Sequence, residues 1–506
     1  MVRSVDRLLN RITMYRLALY YLIALLAIAL VLSFTGALPY DPFGLLLSIG
    51  VLVGACALTS WIFSRAFGVP ANVESSYITA LILALIITPP TSTSDLWFLL
   101  WAAVWAMASK YMLAIHRKHV FNPATFAVAL TYLTIDQSAS WWVGEGRMLP
   151  FVLIGGVLIV RKIRRLDLVA TFLVAALATV VAFSLLGGEN PAVALQRTLL
   201  SSPLLFFAVV ILTEPMTTPP RRSMRLVYGG LVGVLFTPQI HFGTLFATPE
   251  LAMVVGNVFG YLVSPKATLL LNLRKKVHLA PNIYDFVFVP PRKLAYEPGQ
   301  YMEWTLGHDA PDSRGNRRFF TLASSPTEDT LRLGVAFNPT SSTFKQALLS
   351  LEPRHGIVAA QLAGDFVLPS DPDQPCVFIA GGIGITPFRS MIKYLLDTGQ
   401  RRPIVLFYAN KTADDIVYRD VFDRAAREVG IRTIYALTDT ARIPPDWDGW
   451  SGRITGELIA QAVPDYRRCT FYLAGPPAMV DGFRDVLSRM DVKRGQIKTD
   501  AFAGLG

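Results

Sequence analysis

Cysteine is scarce. Cys56, Cys376 and Cys469 lie far apart in 506 residues, so they form no disulfide framework and offer no C-x-x-C spacing for zinc or an iron–sulfur cluster. Cys376 sits in an apolar run and reads as a buried strand residue. Histidine is scarce as well. Of the six, His116 and His119 fall in a basic loop, His278, His308 and His355 come late, and only His241 lies near a long apolar segment. That set excludes a bis-histidine haem between helices, and no metal site is expected. Charged residues make up 16%, whereas hydrophobic residues reach 53% and mean hydropathy is +0.43, too apolar for a soluble protein of this length. Net charge is +11, but no basic run is interleaved with aromatics, so nucleic acid is not an expected partner.

The apolarity is concentrated before about residue 265, where 17 Lys/Arg face 10 Asp/Glu. Such an excess suits a membrane surface. Residues 1–16 are basic and amphipathic. Residues 17–34 are long enough to span and lack a small-residue cleavage site, so they read as a first transmembrane helix. Further apolar segments follow near 43–63, 77–88, 95–113, 123–135, 148–160, 167–186, 199–213, 226–247 and 249–263. Several fall short of the roughly 20 residues that a crossing needs; the segment 77–88 reaches only about 18 Å at 1.5 Å per residue. Short segments bounded by Pro or Gly predict half-helices meeting near the midplane, as in inverted-repeat transporters. Two of them end alike, on Ile86-Ile-Thr-Pro-Pro-Thr91 and on Ile211-Leu-Thr-Glu-Pro-Met-Thr-Thr-Pro-Pro220.

Basic residues mark one side. Arg3, Arg7, Arg11, Arg16, Arg65, Arg117, Lys118, Arg161, Lys162, Arg164, Arg165, Arg221, Arg222 and Arg225 all fall in alternate connections, and the opposite connections hold only Arg147 and Arg197. About ten segments and this bias predict a multi-pass protein of the inner (cytoplasmic) membrane, with the N-terminus and everything after residue 263 on the cytoplasmic side.

After residue 265 four motifs follow in order: Arg317-Arg-Phe-Phe-Thr-Leu-Ala-Ser-Ser-Pro326, Leu362-Ala-Gly-Asp-Phe366, Cys376-Val-Phe-Ile-Ala-Gly-Gly-Ile-Gly-Ile-Thr-Pro387 and Tyr472-Leu-Ala-Gly-Pro-Pro-Ala-Met479. The third is a buried-strand run ending on glycines that open a helix, a geometry that brings backbone N–H groups to a phosphate. Pro298-Gly-Gln-Tyr-Met-Glu-Trp304 reads as a strand after a turn. Ser341, Ser342 and Thr343 precede a helix, either as N-caps or as a second anion site.

Together these motifs resemble the ferredoxin-NADP reductase superfamily. The resemblance implies FAD bound by Arg318, Phe319, Phe320, Thr321, Ala323, Ser324, Ser341, Ser342 and Thr343. Arg318 takes the flavin phosphate, and the Thr321 hydroxyl faces the isoalloxazine. Phe320 stands where the family has a tyrosine, which removes a phenol donor. NADH or NADPH is implied at Gly381, Gly382, Gly384, Thr386, Pro387, Gly475, Pro476, Pro477 and Met479. Ala474 replaces the cysteine usual before that glycine. Asp500-Ala-Phe502 resembles the acid-x-aromatic terminus that covers the flavin, with Phe502 stacked on it. Thr321 and Phe502 are therefore the catalytic candidates. Asn410 and Lys411 offer no arginine pair for a 2′-phosphate, and Asp414 and Asp415 would repel one or cap the next helix, which favours NADH.

The apolar half has its own resemblance. Glu74-Ser-Ser-Tyr-Ile-Thr-Ala, Lys118-His-Val-Phe-Asn-Pro-Ala124 and Leu212-Thr-Glu-Pro-Met-Thr-Thr-Pro219 resemble the D subunit of Rnf complexes and the B subunit of sodium-translocating NADH:quinone reductase. Those subunits carry FMN linked to a threonine in an S-G-A-T motif. No such motif occurs here, and Gln137-Ser-Ala-Ser-Trp-Trp142 lacks the threonine. Glu214 replaces the family's aspartate. Asn122 and Glu214 read equally as helix-end caps or as functional polar groups in an apolar setting.

The expected architecture is a polytopic α-helical membrane domain with an inverted repeat at 1–263, a β-barrel FAD domain at 264–369 and a doubly wound α/β NAD(P)-binding domain at 370–506. The expected activity is hydride transfer from NAD(P)H to FAD, then electron delivery to a quinone or second flavin (FMN) in the bilayer, with other electron-transport subunits as partners and ion transport as an optional coupling. The alternatives are an anchored reductase serving a soluble redox protein, or a transporter regulated by a flavin.

Overall fold

In a computed structural model, the described residues are 9, 12–67, 73–115, 118–243, 245–264, 269–308, 312, 315–339, 341–353 and 355–500. Arg3, Arg7, Arg11, Arg117, His116 and Phe502 lie outside them. The chain forms two compact units, which divide near residue 266.

The first unit is helical: α1 (Met14–Phe34), α2 (Pro42–Phe67), α3 (Val73–Ile86), α4 (Thr93–Met112), a two-strand hairpin β1 (Ala114–Ile115) and β2 (Lys118–His119), and α5 (Pro123–Ile135). The order then repeats. Helices α6 (Leu149–Ile163), α7 (Leu166–Leu186), α8 (Pro191–Leu200), α9 (Leu204–Phe206, continued as a π turn over Phe207–Ile211) and α10 (Arg222–Leu235) lead to a second hairpin, β3 (His241–Phe242) and β4 (Leu245–Phe246), and to α11 (Pro249–Val263). Each hairpin feeds a proline-opened helix whose N-cap, Asn122 or Thr248, accepts from a backbone N–H three residues on.

Among the described residues α1, α2 and α7 are long and apolar enough to cross a membrane, and α8 with α9, bent by 63°, makes a fourth if counted as one span. This is fewer than the ten segments the hydropathy suggests. Several of the others are short; α3 has 14 residues and α5 has 13, about 20 Å each. Buried polar groups gather where the short helices meet. Asn122 Nδ2 donates to Glu214 Oε2 at 2.8 Å, and Asn257 Oδ1 accepts from the Asn122 N–H at 2.7 Å. Asn122 is thus both a cap and a partner of Glu214. Lys110 Nζ donates to Ser75 O, Ser75 Oγ and Thr79 Oγ1, which uses all three ammonium protons.

The second unit contains two sheets. The first is antiparallel, in order β8-β7-β10-β5-β6-β9: β5 (Leu269–Ala280), β6 (Ile283–Val289), β7 (Tyr301–Thr305), β8 (Arg317–Thr321), β9 (Leu331–Ala336) and, after α12 (Thr343–Ser350), β10 (Gly356–Ala363). Its edge strands approach each other just past β8, where Ala323 N–H donates to Arg332 O at 2.9 Å. In place of the expected barrel, the described strands form a six-stranded antiparallel sheet in this order. Alternating burial places Leu271, Phe286, Phe288, Trp304 and Leu333 in one core with Phe344 of α12.

The second sheet is parallel, in order β14-β13-β12-β11-β15-β16. Its strands β11 (Cys376–Gly381), β12 (Ile404–Asn410), β13 (Arg432–Leu437), β14 (Trp450–Ser451), β15 (Thr470–Ala474) and β16 (Ile497–Thr499) alternate with α13 (Thr386–Thr398), α14 (Arg419–Glu428), α15 (Gly456–Ala462) and α16 (Pro477–Arg489). Helices on both faces explain why β11 is buried at every residue. The order reverses at β11, which pairs with β12 on one side and β15 on the other. Ligands of such sheets bind beyond the carboxyl ends of strands at that switch point.

Candidate functional site

Two glycine turns meet at the switch point. An ideal Cβ on Gly384 would lie 2.5 Å from the Ala474 carbonyl and 2.6 Å from Gly475 Cα, and one on Gly381 would lie 2.4 Å from Met479 Sδ. Gly382 and Gly475 have φ of +51° and +154°. Only glycine permits these approaches. The cradle left bare by the missing side chains fits a dinucleotide phosphate, with the N-terminus of α13 below it. Gly382 and Gly384 are half-buried and Pro476 and Pro477 are exposed, whereas Thr386 and Pro387 are buried in the first turn. Thr386 Oγ1 donates to Ile383 O, so those two residues shape the turn rather than line its opening.

Strand β8 supplies a second candidate anion site. Asp312 occupies it as a built-in carboxylate: Arg318 Nη2 donates to its two oxygens at 3.0 and 3.2 Å, and Thr343 N–H donates at 3.3 Å. A guanidinium and a helix N-terminus converging on one anion are the donor set that a flavin pyrophosphate requires. Ser342 Oγ caps α12 through Lys345 N–H, and Ser341 Oγ accepts from Asn338 N–H. The N-cap alternative thus holds for Ser342. Phe320 is half-buried beside Phe344, with centroids 6.0 Å apart, and Phe319 packs edge-on against Tyr301.

Thr321 lies at the end of β8, where its hydroxyl donates to Asp500 Oδ2 at 3.0 Å. Asp500 N–H donates to Leu473 O, which places that carboxyl beside the end of β15. Burial pushes the Asp500 carboxyl up to about 6, against the Thr321 hydrogen bond that lowers it. One atom cluster therefore joins the flavin strand, the nucleotide strand and a titratable group.

Ala323 and Ser324 come just after Thr321. Both are fully buried. Ala323 O accepts from Arg389 Nη1 at 2.7 Å, and Ser324 Oγ accepts from Arg332 N–H and meets Tyr296 Oη. They sit in the seam between the two sheets. Asp415 Oδ2 accepts from Thr412 N–H and Oγ1, so it caps a turn, one of the two roles its position allowed. The residues that motif reading passed over are Asp312, Asp285, Glu328 and Arg389, whose partners are distant in sequence. Asp500 was visible only as part of the terminal motif.

Residues 378–485 match the family model described as oxidoreductase NAD-binding domain. The chain is 29% identical over 233 residues to phenol hydroxylase P5 protein of Acinetobacter pittii, covering 44% of this chain and 62% of that protein. It is 28% identical over 234 residues to the ferredoxin reductase component of 3-ketosteroid-9-alpha-monooxygenase of Mycobacterium tuberculosis, covering 46% and 62%. The C-terminal half is a ferredoxin-NADP-reductase-like FAD- and NAD-binding module. Among solved structures, the Amycolatopsis cytochrome P450 reductase GcoB aligns with a TM-score of 0.42 and 26% identity, over 47% of this chain and 70% of that one. The chain spans 57–62% of the length of the first curated relatives it matches.

Proposed function

We propose that this protein is a membrane-bound NAD(P)H-dependent flavin oxidoreductase. The observation that carries the reading is that the Gly381–Gly384 and Gly475–Pro477 turns meet just past β15, the strand whose Leu473 carbonyl accepts from Asp500, the partner of Thr321. Bound FAD would accept a hydride, two electrons with one proton, from the reduced nicotinamide and release the electrons singly. Arg318 and the N-terminus of α12 hold its pyrophosphate once Asp312 withdraws. The glycine turns hold the nicotinamide dinucleotide, oxidised as the hydride departs. Thr321 and Asp500 keep a proton within reach of the flavin strand. Phe502, two residues after Asp500 in the sequence, is the residue we assign to cover the flavin.

The helical unit is assigned to the inner membrane, with the reductase on the cytoplasmic side, as the basic connections suggest. Its three long apolar helices and repeated element order support that assignment, as does the resemblance to Rnf and sodium-translocating quinone reductase membrane subunits. The acceptor is then a quinone or second flavin in that unit. Anaerobic titration of the purified, FAD-loaded protein with NADH should bleach the flavin absorbance, and added quinone should restore it in vesicles without soluble protein. Colourless protein that takes up no FAD, or flavin that NADH leaves oxidised, ends the reading. A second reading follows from two of the relatives, which are named as the reductase component of a propane 2-monooxygenase and the ferredoxin reductase component of a 3-ketosteroid-9-alpha-monooxygenase: the helical unit anchors the reductase, and a soluble redox protein takes the electrons. Activity in the same vesicles only after a soluble carrier is added would favour it.

A further inference from the structure

We propose that Arg389 is a positioning residue that sets the reach of hydride transfer by bolting the nucleotide turn to the flavin strand. The inference rests on the flavin-reductase reading. Arg389 lies on the first turns of α13, the helix that rises directly from Gly381–Ile385. Its side chain is 5% exposed. Nη1 donates to Ala323 O at 2.7 Å and to Glu328 Oε2 at 2.6 Å, and Nη2 donates to Glu328 Oε1 at 3.0 Å. The next residue adds a fourth tie, Ser390 Oγ to Ser324 O at 2.5 Å. Ala323 and Ser324 follow Thr321 almost immediately. The chain that carries the nicotinamide phosphate and the chain that faces the flavin are thus joined within one helical turn of each.

Glu328 cannot drift, because Ser325 N–H donates to it at 2.7 Å and Arg332 approaches at 3.4 Å. Arg332 in turn donates to Asp285 on β6 at 2.9 Å. Burial pushes the Glu328 carboxyl up, but the hydrogen bonds and charge of Arg389 more than reverse this, and it stays ionised below the usual range. A third contact removes slack. Arg389 lies 5.2 Å from the Tyr418 ring centroid, Tyr418 has φ +59°, and a Cβ on Gly334 of β9 would lie 2.7 Å from Tyr418 Oη. An apolar seam would hold the lobes together and still let them slide. A bidentate fork fixes direction as well as distance. Hydride transfer needs that, since the reacting atoms must come within about 3–3.5 Å and a 1 Å misplacement can cost about a hundredfold.

The test is anaerobic stopped-flow reduction of the full-length, FAD-loaded protein by NADH. Arg389→Gln should lower the limiting reduction rate about 10- to 100-fold and weaken the long-wavelength charge-transfer absorbance of the nicotinamide–flavin pair, with FAD content and NADH affinity little changed. Arg389→Lys should not restore the rate, because an ammonium cannot span Glu328 and Ala323 as a fork. A rate within about twofold of wild type, or a loss that only tracks lost FAD, overturns the proposal. If Arg389→Gln does not fold, Glu328→Gln is read the same way, and an unchanged rate again overturns it. If NADH does not reduce the wild type, the reductase reading has failed; a wild type that works beside an unaltered variant fails this inference alone.

Discussion

In the C-terminal unit Glu328 faces Arg389 and Arg332, Asp285 faces Arg332, and Glu303 faces Arg317. In the N-terminal unit Glu214 is held by Asn122 and Thr217, Glu250 by the Trp141 indole, and Lys110 by Ser75 and Thr79. The ion pairs Arg225–Asp167, at 2.9 Å, and Arg16–Glu74, at 3.0 Å, join the starts of helices rather than their interiors. A guanidinium facing a carboxylate fixes orientation and depends on both charges. An amide, indole or hydroxyl satisfies the carboxyl group whether or not it carries its proton. Rigid alignment of two lobes needs the first arrangement. A group enclosed in an apolar helical unit is better served by the second, because an unpaired charge there is costly.

The largest effect should come from breaking a charge pair in one unit and its counterpart in the other. Glu328→Ala leaves Arg389 buried without its carboxylate and should cost about 3–5 kcal/mol, whereas Glu214→Gln keeps the acceptor for Asn122 and should cost about 1 kcal/mol or less. Thermal unfolding in detergent measures both, and equal losses would erase the contrast. Next, Arg318→Ala should weaken FAD binding about a hundredfold, the worth of charged hydrogen bonds to phosphate, and should also lower apo-protein melting, because Asp312 loses its guanidinium partner. Full flavin occupancy in that variant would contradict the anion site.

Gly384→Ala puts a methyl against the Ala474 carbonyl. It should weaken NADH binding about tenfold by overpacking the turn, with FAD content unchanged; equilibrium dialysis of both cofactors decides. The smallest effect is one of pH. The folded Asp500 carboxyl is raised to about 6, above its unfolded value of about 3.9. Its contribution to stability is therefore full below the unfolded value and is lost as pH rises through about 6. Asp500→Asn should flatten the melting temperature across that window, and an unchanged profile would place the titration elsewhere.

Much of the nucleotide site was legible beforehand. Gly381, Gly382, Gly384 and Gly475 announce themselves because close backbone approach demands glycine, and a buried strand followed by a helix is a local pattern. Arg318 and Thr321 were legible through motif order. Ala323 and Ser324 continue the same motif, but the strand has ended there and their backbone carbonyls accept from Arg389 and Ser390 of α13, contacts that motif order does not announce. Asp312 was illegible because it reaches its site from a loop of ordinary composition. Glu328 and Arg389 are separated by 61 residues, and no local spacing links them. In the helical unit, hydropathy marked the segments and their lengths already showed several to be too short to span; only the structure set where each helix begins and ends.

Composition and periodicity alone pointed to an apolar helical half followed by a strand-rich segment and then by alternating strands and helices, because burial pattern follows residue type over short windows. The same local information named the glycine turns. Only the tertiary structure decided that β11 lies between β12 and β15, and so that residues nearly a hundred positions apart form one cradle. It alone joined Thr321 to Asp500 and Arg389 to Glu328. Hydrogen bonds and ion pairs act over a few ångströms of space, and sequence distance carries no record of which chain segments will lie that close.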